Sequence, residues 1–146
     1  MINGDFVVGA IISQLKEPKN YPDTKVYRER QTQNTVRPSF FVSQLQLSQE
    51  KRMDKRYTRM YRIKISWLPP KGEELPRVAC EEVGNRLLGI FRLVSVPGRP
   101  VRPSFMEYEV IDDELRFTMD IPIFAEWQDD PVPDMLIKEV NVYPRQ

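Results

Sequence analysis

Residues 56–68 read Arg56-Tyr57-Thr58-Arg59-Met60-Tyr61-Arg62-Ile63-Lys64-Ile65-Ser66-Trp67-Leu68. Tyr57, Tyr61, Ile63, Ile65 and Trp67 share one face of an extended chain, with Arg59 the exception, while Thr58, Arg62, Lys64 and Ser66 share the other. Successive side chains of a strand point to opposite faces, so this alternation predicts a long β-strand with one buried and one wet face. Pro69-Pro70-Lys71-Gly72 stops it. Tyr57, Tyr61 and Trp67 could form a stacking platform for bases, but they lie on the face that alternation gives to the core, and core packing is the preferred reading.

The rest of the chain is organised around that strand. Upstream, residues 38–48 predict a second strand, with Phe41, Leu45 and Leu47 on one face and Phe40 and Val42 on the other, so that part of it is covered on both sides. A short strand around Val26 and Tyr27 is expected within residues 24–30, followed by a polar loop at 31–37. Residues 4–16 carry Val8, Ile11, Ile12 and Leu15 at helical spacing, with Asn3 as N-cap and Asp5 in the first turn. Downstream, Ala79, Val83, Leu87, Ile90, Phe91 and Val94 predict a helix over 75–94, opened by Pro76 and stopped by Pro97-Gly98. Residues 104–112 and 114–125 predict a hairpin that turns at Asp112-Asp113. An acidic, proline-rich loop at 127–135 and a last short strand at 136–143 close the chain. The order is α-β-β-β-α-β-β, with one further strand expected. It predicts a single α+β domain over 1–146, in which two helices pack on a mixed, mostly antiparallel sheet.

Composition excludes much chemistry. The 146 residues hold one cysteine, Cys80, and no histidine. The commonest general base and the commonest metal ligand are therefore missing, and an intramolecular disulfide is impossible. A lone thiol without a histidine partner is a poor nucleophile, so Cys80 reads as a small packed residue on a helix. No glycine-rich phosphate loop and no metal-ligand pattern are present, so no cofactor is expected. The doublets Glu73-Glu74, Glu81-Glu82, Asp112-Asp113 and Asp129-Asp130 read as turn and helix-surface charges rather than an acid/base pair. A formal charge of +1 speaks against general charge-driven nucleic-acid binding. The apolar stretch at 6–12 is too short to cross a bilayer, which takes about 20 residues. It carries no basic leader or cleavage site, so the protein is expected to stay where it is made or to leave inside a larger particle.

Two charged segments remain. Lys51, Arg52, Lys55 and Arg56 fall in a projecting hairpin at about 48–56. They suit a docking arm for an acidic protein surface, a solvated tip that blocks edge aggregation or a phosphate-contacting finger, and docking is preferred. Asp129, Asp130 and Asp134 in the acidic loop are the second set of candidate docking residues.

The order of motifs also resembles a known family. A short amphipathic helix leads to a strand bearing Tyr27; Gln31 or Gln33 follows in a polar loop, then Pro38-Ser39-Phe40-Phe41, then a long strand that opens at Arg56-Tyr57 and carries Tyr61 and Ile63. This resembles the tail terminator, or tail completion, proteins of long-tailed phages, prophages and phage-like particles, best over 21–68 and more loosely beyond. The resemblance implies a mixed α/β fold and a homo-hexameric ring on top of the tail tube. Such a ring stops tube growth, offers a docking surface to the head connector or neck and, in a contractile tail, meets the last sheath ring; DNA passes its lumen only as cargo. It implies no enzyme, no cofactor and no catalytic residues to carry over. The competing expectations are another neck or head-to-tail joining protein, a nucleic-acid-binding module using the hairpin cations, and a small hydrolase built on carboxylates.

Overall fold

The computed structural model describes residues 4–28 and 36–126. Five strands, β1 (Lys25–Tyr27), β2 (Ser39–Lys51), β3 (Arg56–Leu68), β4 (Phe105–Ile111) and β5 (Glu114–Glu126), form one sheet in the order β1-β2-β3-β5-β4. The pair β1–β2 is parallel and the others are antiparallel. Helices α1 (Gly4–Leu15) and α2 (Pro76–Ile90) add the second layer, so the α+β class and the element order are as expected.

The alternation of residues 56–68 sets the core. Tyr61, Ile63 and Ile65 are fully buried and Trp67 nearly so. Their partners across β5 are Ile121, Met119, Phe117 and Leu115, which are also fully buried. Val7, Ile11 and Leu15 from α1 and Cys80, Val83 and Leu87 from α2 join the same cluster, so both helices close one face of the sheet. The opposite face holds the pair Arg62–Asp120, with Nε donating to Oδ1 at 2.8 Å and Nη2 to Oδ2 at 3.1 Å. This second face is not uniformly wet. Thr58 is buried beneath Arg52, whose Nε donates to its Oγ1 at 3.0 Å. Ser66 is buried opposite Phe41, which stacks on Tyr27 with ring centroids 5.3 Å apart.

The expected facing of β2 needs correction. Phe40 and Val42 pair with Trp67 and Ile65 and share their core face, whereas Phe41 pairs with Ser66 on the other. A register shift between Gln44 and Gln46 then leaves Leu45 as an extra residue. A bulge of one residue reverses the parity of everything after it. Leu47 therefore pairs with Tyr61 and lies on the side of Phe40 and Val42, not of Phe41. Beyond the bulge, residues 44–51 are exposed on both faces.

The second helix is also shorter than its apolar stripe suggests. It ends at Ile90, where the Phe91 amide bonds the Leu87 carbonyl. Val94 lies beyond it and exchanges two backbone hydrogen bonds with Val101, at 2.7 and 2.9 Å. The side chain of Gln14 stabilises this exit. Its Nε2 donates to the carbonyls of Ile90 and Leu93, at 3.0 and 2.9 Å, and its Oε1 accepts from the Ser95 amide at 2.8 Å. One buried amide thus satisfies backbone groups that the end of α2 leaves open. On the other flank α2 meets β4 closely: a Cβ on Gly84 would stand 2.9 Å from the Tyr108 ring. The expected N-cap Asn3, the acidic loop at 127–135 and the strand at 136–143 lie outside the described residues.

Candidate assembly surface

The expected hairpin carries a third strand. The β2–β3 ladder runs out to Lys51 opposite Tyr57, and β5 accompanies β3 as far as Glu126 opposite Arg56. The arm end is therefore three strands wide. Its turn closes through the Arg52 amide on the Arg56 carbonyl at 2.8 Å and the Arg56 amide on the Met53 carbonyl at 3.1 Å. Asp54 takes the left-handed conformation this demands, with φ of 57°; aspartate tolerates that region better than most residues.

Lys51, Arg52, Lys55 and Arg56 are brought together at this end, all exposed. Arg52 stands 3.3 Å from Glu50 and braces the turn through Thr58, so one of the four cations is partly structural. Behind it, Arg59 Nε donates to Gln49 Oε1 at 2.7 Å. Asp129, Asp130 and Asp134 lie outside the described residues.

Two apolar residues belong to this surface and escaped the sequence reading. Met53 is 78% exposed at the turn and Phe124 is 63% exposed on β5. Phe124 lines one hollow with Arg52, Arg56 and Tyr57, and another with Arg99, Arg102 and Pro122. The Arg99 guanidinium donates to the Phe124 carbonyl. A signal for Phe124 was present in the sequence: Leu115, Phe117, Met119, Ile121 and Ile123 occupy one parity, so a phenylalanine at 124 must face the polar side.

Among the described residues, reactive chemistry is sparse elsewhere. Cys80 is buried, and its thiol donates to the Asp113 carbonyl at 3.5 Å. Burial, and then the carboxylates of Asp113 and Glu114, push its pKa upward, which disfavours the thiolate. Among the described residues no group of three or more Cys, Asp or Glu side chains could hold a metal ion. No described helix is long and apolar enough to cross a membrane. What the exposed end offers is charge, aromatic and apolar area and strand edges, the means by which one folded surface holds another.

These features describe a domain suited to contact with other macromolecules. A family model described as phage tail terminator protein matches residues 7–134. The chain belongs to the phage tail terminator family and is a structural protein of the phage tail. The resemblance carried by residues 21–68 therefore extends over almost the whole chain. Among solved structures, one chain aligns with 88% of this chain and 98% of its own length at 13% identity. Its TM-score of 0.43 is too low to carry an argument. No curated protein matches the sequence.

Proposed function

We propose that the protein assembles into a homo-hexameric ring that caps the tail tube, ends tube polymerisation and provides the docking surface for the head connector or neck. The observation that carries this reading is the family match over residues 7–134. The arm supports it, because a three-stranded end with exposed Met53 and Phe124 among cations gives a small domain a contact surface outside its core. In this reading the partners are further copies of the chain, the tube protein, the head connector and, where the tail contracts, the sheath. DNA crosses the lumen as cargo, no membrane takes part, and the protein catalyses nothing. It assembles in the host cytoplasm and ends in the neck of the particle. Lys51, Arg52, Lys55, Arg56, Asp129, Asp130 and Asp134 are the docking residues proposed for these contacts.

The test is deletion of the gene, followed by electron microscopy of the lysate. The expected result is tubes longer than those of the parent, with filled heads left unattached. Tails of parental length joined to heads would overturn the terminator reading.

A further inference from the structure

The two ends of the sheet carry opposite charge. At the arm end the exposed cations Lys51, Arg52, Lys55 and Arg56 outnumber the exposed anions Glu50, Asp54 and Glu126 around Met53, and Arg99 and Arg102 lie beside Phe124. At the other end, where β3 leaves the sheet at Leu68, the chain runs through residues 69–75 into α2. Glu73 and Glu74 are exposed just before that helix, and Glu82 is exposed on its second turn. Asp112 and Asp113 are exposed in the β4–β5 turn, which the Cys80 thiol joins to α2. Exposed cations stand among them too, Lys71 in the segment that leads to α2 and Arg77, engaged with Glu81 at 3.7 Å, so this end is acidic by excess. Within this acidic rim Leu75 and Val78 are 62% and 46% exposed.

Each end thus presents an exposed apolar centre inside a charged border, and the borders have opposite sign. That is the usual anatomy of a protein interface, with apolar anchors inside and polar groups at the rim. The two ends cannot meet within one molecule. They are separated by the length of β3, 13 residues, or about 40 Å at the rise of an extended strand. They can meet between molecules.

We infer that the arm tip of one copy docks on the acidic end of the next, Met53 seating against Leu75 and Val78 while Arg52, Lys55 and Arg56 face Glu73, Glu74 and Glu82. Such a contact is heterologous: each copy offers a different surface to its two neighbours, and the chain of contacts closes into a ring where the rotation permits. The inference rests on the ring reading above and names the surfaces that would join its subunits.

The test uses full-length protein. Met53→Cys and Leu75→Cys are made separately and mixed under a mild oxidant, with Cys80 left in its buried position. The expected result is a disulfide-linked dimer that forms in the mixture and at least about tenfold less in either variant alone, because only the mixture places two thiols in one head-to-tail contact. High salt should suppress it, since the Debye length falls to about 3 Å at 1 M. Charge reversal supplies the second arm. Lys55→Glu/Arg56→Glu, which keeps the Arg52 brace on Thr58, has two acidic ends, and Glu73→Lys/Glu74→Lys/Glu82→Lys has two basic ends. Each should stay folded by circular dichroism and fail to associate alone, and the two mixed should associate again in alternation. Equal crosslinking in all samples, or reversed variants that associate alone as well as the parent, would overturn the inference. If those variants associate normally yet fail to limit tail length in the deletion strain, the arm meets the tube instead, and only the terminator reading survives.

Discussion

Ile63 and Lys64 are neighbours in sequence on opposite faces of β3, one fully buried and one half-buried. Ile63→Asp puts an unpaired carboxylate among Tyr61, Met119 and Ile65, a change expected to cost more than about 4 kcal/mol and to leave no folded protein. Lys64→Asp is expected to cost no more than about 1 kcal/mol, because it alters a charge on the polar face. Urea unfolding of both variants checks this, and similar losses from the two would disprove the register. That contrast was readable from alternation alone. Gly84 was not, since a glycine in the middle of a helix stripe gives no sign of what crosses it. A methyl group there would press into the Tyr108 ring from 2.9 Å, so Gly84→Ala is expected to destabilise by about 1–3 kcal/mol despite its better helix propensity. Pairing it with Tyr108→Leu should recover part of that loss in a double-mutant cycle, and strictly additive losses would mean that the two residues do not meet. Gln14 lies beyond sequence reading for the same reason: a polar residue beside Ile11 and Leu15 reads as wet until the carbonyls of Ile90 and Leu93 are brought to it.

Elements were legible where one period ran unbroken and illegible where tertiary pairing interrupted it. In residues 114–125 Leu115, Phe117, Met119, Ile121 and Ile123 hold one parity throughout, and β5 formed as expected. In β2 the alternation reads straight through Leu45, because a bulge depends on the partner strand's register and leaves no mark in the local pattern. The apolar stripe of α2 extends to Val94 because Phe91 and Val94 are both buried, but Val94 is buried in a backbone bridge to Val101 rather than on a helix. The packing of α2 against the β4–β5 turn has a measurable consequence through Cys80. In the unfolded chain this thiol titrates near its ordinary value of 9.0, whereas in the folded protein burial raises it. The folded state then holds the proton after the unfolded state has released it, so stability is complete below about pH 9 and declines as the pH rises past it. Tyr21, raised by burial against its ordinary 10.0, adds a decline of the same sign at higher pH. Urea midpoints on either side of pH 9.0 should therefore fall in the parent and fall less in Cys80→Ala, whose cavity cost does not vary with pH. An identical slope in both proteins would remove Cys80 as a cause.

At the scale of the whole molecule, a ring joined through the basic arm tip with Met53 and the acidic end with Leu75 would keep two further rims, one toward the tube and one away from it. A tube built of stacked rings grows because each new ring displays the surface the next one needs, and such a heterologous polymer has no internal reason to stop. A terminator must match the tube on one face and offer the wrong surface on the other, so that further addition is refused by geometry and charge. Capping of this kind is all-or-none for each tube end. It differs from a ruler, which would set the length of every tube in proportion to its own size or supply. The two mechanisms separate when the protein is scarce. Expressing the gene at graded levels in the deletion strain should give two populations of tube, one of parental length and joined to heads, the other overgrown and headless. Their proportions should shift with supply, while the length of the capped population stays fixed. Replacing Lys51, Lys55 and Arg56 by serine, with Arg52 kept for its brace on Thr58, should imitate low supply at full expression, because exposed charges add little to folding but steer docking. Length histograms from electron micrographs give the answer, and a single peak whose mean slides with expression level would replace the cap with a ruler.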